Sequence, residues 1–205
     1  TGFVGPRLLR KLDSPVVLSR NAAKAEASLK EFGVKAYAWD PMKGPPPAKA
    51  FDGIDAVIHL AGDPVAEGRW TKAKKARIRD SREIGTQNLV AGLAALTKKP
   101  GVLVSASAVG IYGDRGDEQL DERSRPGNGF LADVCAAWER EASRAADVGL
   151  RVAMIRIGIV LGPGGGALGK MLTPFKLGIG SPLGSGRQYM PWVHQGDLVE
   201  MLLFA

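Results

Sequence analysis

Short runs of β-branched and aliphatic residues alternate with longer stretches in which apolar positions recur every three or four residues. That alternation predicts a parallel sheet covered by helices. The strand candidates are VVLS (16–19), VKAYAW (34–39), AVIHLA (56–61), VLVSAS (102–107) and RVAMIRIGIV (151–160). Helices are predicted near residues 5–12, 22–32, 71–96 and 129–148, with another beyond the last strand at 167–177. The proline-rich MKGPPPAKAFDG (42–53) reads as a surface connection, because the strand pattern resumes directly after it. No repeat recurs along the chain. The expected class is α/β, a doubly wound parallel sheet over residues 1–160, followed at 161–205 by the start of a small C-terminal lobe and a returning helix. Both ends read as incomplete. TGFVGPRLL has the character of a turn entering a helix with no strand before it, and DLVEMLLFA stops inside an apolar helical pattern without a cap.

Composition narrows the function classes. A chain of 205 residues suits one α/β domain, alone or with a small lobe. The single cysteine, Cys135, excludes an internal disulfide framework and fits a reducing compartment, cytoplasmic or an organelle matrix or stroma. No Cys/His spacing suggests a metal, and no apolar run approaches the roughly 20 residues that span a bilayer. The formal net charge of +7 favours an anionic partner. Its densest source, TKAKKARIRDSR (71–82), is followed by Ile84, Leu89, Val90 and Leu93 and reads as an amphipathic helix with a solvated basic face. No nucleic-acid motif accompanies it, so no nucleic-acid partner is expected.

The first chemical motif is Thr1-Gly2-Phe3-Val4-Gly5, the end of a G-x-x-G-x-x-G phosphate loop. A side chain at Gly2 would keep a pyrophosphate off the backbone, and Gly5 lets the helix pack closely on the sheet. The next strand ends in Ser19-Arg20, where an acid would hydrogen-bond the ribose of NAD. A cation there favours the 2′-phosphate of NADP(H), with NAD(H) as the alternative and Lys24 as a further candidate contact. At the end of AVIHLAG, His59-Leu60-Ala61-Gly62 would let a dinucleotide lie against small residues, His59 itself reading as structural. Together these motifs place the chain among Rossmann-like dinucleotide-binding folds.

The motifs TGFVG, HLAG, GTQNLV with Asn88, SASAVGIYG, RIGIVLGPGGG and GSGRQYMPWVHQGDLVE occur in an order that resembles the extended short-chain dehydrogenase/reductase superfamily, in its NAD-dependent epimerase/dehydratase branch. RWTKAKKARIRDSREIGT, GFLADVCAAWE and GGALGKMLTPFKLGIGSPLGSGRQYMPWVH resemble more narrowly its subfamily labelled nucleoside-diphosphate-sugar epimerase. The resemblance implies cofactor contacts from the phosphate loop, Ser19, Arg20, residues 59–62 and Ser105. It implies a serine at Ser107 that positions substrate, and a Y-x-x-x-K pair in which the lysine lowers the tyrosine pKa toward working pH. Here Phe130 and Val134 occupy those two positions, and phenylalanine cannot transfer a proton. Three readings follow: another acid/base among Tyr112, Asp114, Asp133 and Glu139; a silent NADP(H)-binding sensor or accessory subunit; or Phe130 as core packing with catalysis residing in the segment expected to be missing. Arg156, Lys170, Arg187 and His194 are the substrate-side candidates, with His194 and Asp197 alternatively paired across one helical turn. The partners expected are a small-molecule substrate and either a second copy of the chain or a larger complex.

Overall fold

The structure, a computed structural model, describes residues 2–182 and 184–205. The elements run α1 (Gly5–Leu9), β1 (Val16–Ser19), α2 (Ala22–Ser28), β2 (Lys35–Ala38), β3 (Ala56–His59), α3 (Lys72–Ala94), β4 (Val102–Ala108), α4 (Phe130–Ser143), β5 (Arg151–Ile157), β6 (Ile159–Leu161), α5 (Gly166–Lys176), β7 (Trp192–His194) and α6 (Gln195–Phe204). Strand pairing is parallel throughout: β1 with β2, β3 with β4 with β5, and β6 with β7. Parallel strands need crossovers, and the helices supply them.

β4 shows why helices cover both faces. Its residues alternate, so Leu103 joins Trp39, Phe51, Leu89, Leu93 and Leu150 in one core cluster. The adjacent Val104 joins Leu8, Leu198, Val199 and Leu202, from α1 and α6, in a second cluster on the opposite face. A strand buried on both sides reads as an uninterrupted apolar and small-residue run, which is how VLVSASA appears in the sequence.

Helix starts follow side-chain capping. Asn21 Oδ1 accepts from the Lys24 N–H at the head of α2, and Thr71 Oγ1 accepts from the Lys74 N–H at the head of α3. His194 caps α6, its Nδ1 accepting from the Gly196 N–H at 3.2 Å. No hydrogen bond joins His194 to Asp197 among the described residues, so the expected pairing across one turn gives way to this cap.

Three expectations about local structure change. The run at 151–160 divides at Gly158, where an added Cβ would stand 2.8 Å from the Pro191 carbonyl oxygen. This close approach carries the chain from β4 to a new partner, β7, whose three residues are too few to show a period. The proline-rich segment is a strap packed on α3: Pro46 is buried, Ala50 is 2% and Phe51 6% exposed, and the Asn88 side chain donates to Pro41 O at 2.7 Å. Prolines bring no N–H that burial would leave unsatisfied, and Gly92 leaves the room they occupy, an added Cβ there standing 2.7 Å from Pro46 Cδ. Finally, the basic face of α3 is not wholly solvated. Lys74 shares a side with fully buried Ile78 and forms an ion pair with Asp63, with 8% of its side chain exposed.

Candidate functional site

Of the groups expected to meet a dinucleotide, Ser19-Arg20 and residues 59–62 lie at the C-terminal ends of β1 and β3, the usual ligand edge of an open α/β sheet. Thr1 lies outside the described residues. Gly2 is exposed with no atom within 4 Å of where a Cβ would stand. Phe3 is pinned from two sides: its carbonyl accepts from the Gln195 side chain, and its ring lies against Gly166, an added Cβ there standing 2.8 Å from the ring. Val4 is the N-cap of α1 and Gly5 its first residue. The loop ahead of α1 is thus held by α6 and by the glycines after β6, neither of which its local sequence reveals.

At the end of β1, the Ser19 hydroxyl donates to Asn21 O at 3.1 Å and accepts the Asn21 N–H. That turn leaves Arg20 exposed, lining an open cavity of about 310 Å3 with Trp39, Asp40, Lys43, Gly44 and Pro45. Trp39 forms its buried wall, anchored by Nε1 donating to Gly44 O at 2.8 Å.

At the end of β3, Leu60 is half-buried and Ala61 and Gly62 are exposed, so the backbone there is open to a ligand. His59 is turned the other way. It is 4% exposed, its Nε2 lies 2.9 Å from Thr86 Oγ1, and its ring meets Trp138 edge-on. Burial, reinforced by the Arg82 cation, lowers its pKa to about 4. Ser105 is fully buried, with its hydroxyl on Ala106 O. The His59 side chain is thus structural, as expected, and Ser105 is buried on the same side of the sheet, so any contact of these two with a cofactor would be through the backbone.

The basic run hides a further member of this site. Arg82 donates from Nη1 to the carbonyls of Asp63 and Ile78 and stacks over Trp138 at 5.0 Å. An added Cβ on Gly62 would stand 2.9 Å from the Arg82 guanidinium carbon, so the glycine lets that cation lie on the exposed backbone. The signal was present in helical phase: Arg82 falls four residues beyond buried Ile78 and three before buried Gly85.

Ser107 and Tyr112 belong to one polar network. The Ser107 hydroxyl donates to Glu139 Oε1 at 2.6 Å, while Arg156 grips both Glu139 oxygens from Nε at 2.8 Å and Nη2 at 2.9 Å. Arg156 Nη1 donates to the Tyr112 hydroxyl at 2.9 Å and to Glu122 O, and Tyr112 in turn donates to Asp121 O at 3.0 Å. Burial pushes the Glu139 carboxyl up, but the Arg156 and Ser107 hydrogen bonds outweigh it and hold the carboxyl below its ordinary range. The Arg156 guanidinium is held above its own range, first by the Glu139 hydrogen bond.

This arrangement engages both Ser107, expected to position substrate, and Arg156, expected to bind it, within the protein. The only proton of Ser107 goes to Glu139, and the guanidinium is already engaged by a bidentate carboxylate. Glu139 stands nine residues beyond Phe130 on α4, about 13 Å along the helix at 1.5 Å per residue. Tyr112 has both its donor and an acceptor site in use.

Phe130 opens α4 beside the outer surface of α3 and is half-buried, whereas Val134 is buried at 2%. The Phe130 ring meets Trp70 edge-on at 5.6 Å, with Lys75 Nζ 5.3 Å and Arg79 Cζ 5.9 Å from its centroid. Phe130 is therefore not simple core packing. Of the remaining substrate-side candidates, Lys170 donates to Ala66 O at 3.4 Å, tying α5 to the loop after β3, and Arg187 has an exposed side chain. His194 serves as the α6 cap described above. Among the described residues, no group of three His, Cys, Asp or Glu side chains is placed to hold a metal, and no helix is long and apolar enough to cross a membrane.

Comparison with known proteins agrees with this frame. The match to the NAD dependent epimerase/dehydratase family runs over residues 1–205. The chain belongs to that family. It is 39% identical over 208 residues to an epimerase family protein of Mycobacterium bovis, covering 100% of this chain and 66% of that protein. It is 39% identical to the chloroplastic epimerase family protein SDR39U1 homolog of Arabidopsis thaliana, covering 98% of this chain and 59% of that one. Among solved structures, the human epimerase family protein SDR39U1 with NADPH superposes with a TM-score of 0.82 at 32% identity, over 98% of this chain and 66% of the human one. The family's α/β dinucleotide-binding architecture is thus this chain's, and the chain spans less than two thirds of the length of these relatives.

Proposed function

We propose that this chain is the NADP(H)-binding part of an oxidoreductase or epimerase acting on a carbonyl or nucleotide-sugar type of small molecule. Arg20 carries the reading. It stands at the end of β1, where an acid would select the ribose of NAD, and it is exposed into an open cavity beside Trp39. The human relative was solved with NADPH at 32% identity, which supports the same cofactor here, with NAD(H) as the alternative. Gly2 to Gly5 would face the pyrophosphate, and the exposed backbone at Ala61 and Gly62 would take the dinucleotide lying across the sheet edge. The bound cofactor would supply hydride transfer. The protein's part is to orient it, with residues 161–205 contributing the beginning of a substrate lobe that includes Lys170 and Arg187. The free, buried Cys135 fits a reducing compartment.

A second reading, a silent NADP(H)-binding accessory subunit, is favoured by one observation: Phe130 and Val134 stand at the acid/base positions while Ser107 and Tyr112 are tied into the Glu139–Arg156 network. Titration of the protein with NADPH and NADH, followed by nucleotide fluorescence, tests the shared claim. NADPH is expected to bind more tightly, and Arg20→Asp is expected to weaken NADPH at least tenfold with little effect on NADH. An unchanged ratio of dissociation constants would remove Arg20 from the site. Turnover of a panel of carbonyl compounds and sugar nucleotides would then separate enzyme from silent binder.

A further inference from the structure

Where the family places its tyrosine acid/base, α3 delivers two cations. Lys75 and Arg79 lie one helical turn apart and flank the Phe130 ring at 5.3 and 5.9 Å, with the half-exposed Trp70 ring at 5.6 Å completing the wall. Like charges at this spacing repel each other. Three nearby cations are paired: Lys74 and Arg77 face Asp63, and Arg140 faces Glu83. Among the described residues neither Lys75 nor Arg79 has a carboxylate partner, although Asp133 sits one turn beyond Phe130 on α4 and Asp80 follows Arg79 directly. The two aromatic rings fix the place, and the two cations leave uncompensated positive charge at it.

We propose that Lys75 and Arg79, held against Phe130 and Trp70, recognise the anionic group of the small molecule that enters beside the cofactor. The ligand class is a small molecule carrying a carboxylate or a phosphate. Arg79 offers a planar fork that either oxyanion can take bidentately, Lys75 offers a point charge, and the aromatic rings give the adjoining apolar part of the ligand a surface. The proposal rests on the cofactor reading only for what lies next to the anion, because the cluster itself is complete within α3, α4 and Trp70.

The test uses the full-length protein, saturated with NADPH and also free of it, titrated with inorganic phosphate and, separately, with malonate. Binding is read by calorimetry and by tryptophan fluorescence, with Trp70→Phe locating the fluorescence change. Saturable binding by one of the two anions is expected, and which one binds assigns phosphate or carboxylate. The double variant Lys75→Ala/Arg79→Ala is expected to weaken that anion at least tenfold while leaving the NADPH dissociation constant unchanged, and Lys75→Arg is expected to retain binding. No saturable binding by either anion, or equal affinity in the double variant, overturns the proposal. If NADPH fails to bind while the anion still does, the cofactor reading falls and this one stands.

Discussion

Glu139→Ala separates a structural network from a catalytic one. The substitution removes the acceptor of three short hydrogen bonds, from Ser107 at 2.6 Å and from Arg156 at 2.8 and 2.9 Å. It leaves the Arg156 charge with only the Tyr112 hydroxyl and the Glu122 carbonyl, in a side chain 21% exposed. Deleting one partner of a fully buried ion pair costs about 3–5 kcal/mol, and the access of water to Arg156 brings the expected loss here to about 2–3 kcal/mol. For a domain of this size that is a fall in melting temperature of about 4–12 °C. Glu139→Gln keeps one oxygen acceptor and should lose about half as much. Urea and thermal unfolding at pH 7 measure both. The pH dependence has a defined sign. A carboxyl whose folded pKa lies below its ordinary 4.5 stabilises the protein at neutral pH, and that contribution is lost only as pH falls below 4.5 through the folded value. The Gln variant should lack that acid-side component. NADPH affinity should not change, because the network stands apart from Arg20 and the loop ahead of α1. A Glu139→Ala protein that keeps its stability, or one that folds normally but loses NADPH binding or turnover, would refute the structural assignment of this network and return Ser107 to the chemistry.

Other outcomes follow from single contacts. His59, with its folded pKa lowered to about 4 against 6.5 unfolded, is neutral in the native state, so stability should fall as pH drops from 6.5 toward 4, by about 3 kcal/mol at most, and His59→Asn should flatten that slope in urea titrations at several pH values. Gly127→Ala would drive a Cβ to within 1.9 Å of the Tyr112 carbonyl oxygen, and a loss of about 3 kcal/mol is expected in the same assay. Gly62→Ala should displace Arg82 and weaken NADPH several-fold in fluorescence titrations while costing about 1 kcal/mol of stability. Neutralising Lys72 and Lys75 should not alter oligonucleotide retention in a low-salt filter assay, and a salt-sensitive loss would reinstate nucleic acid as the partner.

What the sequence reveals here is what local periodicity and glycine spacing encode. β4 is legible because burial on both faces leaves an unbroken apolar and small-residue run, and the start of α1 because Gly5-Pro6 opens a helix. β7 is illegible, since three residues are too few to establish a period and its partner β6 lies more than thirty residues earlier. The inward turn of Lys74 and Arg82 is masked by composition: a run of cations suggests solvent, and only its phase against Ile78 and Gly85 shows which of them face the interior. The bond that Ser107 makes is hidden for a different reason. The serine's position in a familiar motif fixes the strand, but the direction of its hydroxyl depends on Glu139, thirty-two residues away on another element.

That division bears on what the net positive charge is for. The inward cations are each engaged by a specific partner: Lys74 by Asp63, Arg82 by backbone carbonyls and the Trp138 ring, Arg156 by Glu139. Arg20, Lys75 and Arg79 stand without a carboxylate among the described residues, Arg20 at a concave place beside Trp39 and the other two against the Phe130 ring. A polyanion is bound by a stripe that tracks its backbone, with counterion release setting the affinity. Separate cationic points, each beside its own aromatic wall, suit small anions held one at a time, and under the function proposed above these would be the adenosine end of a dinucleotide at Arg20 and a second anion beside Phe130. On the reading proposed above, the cations beside Phe130 would orient a charged ligand against the cofactor.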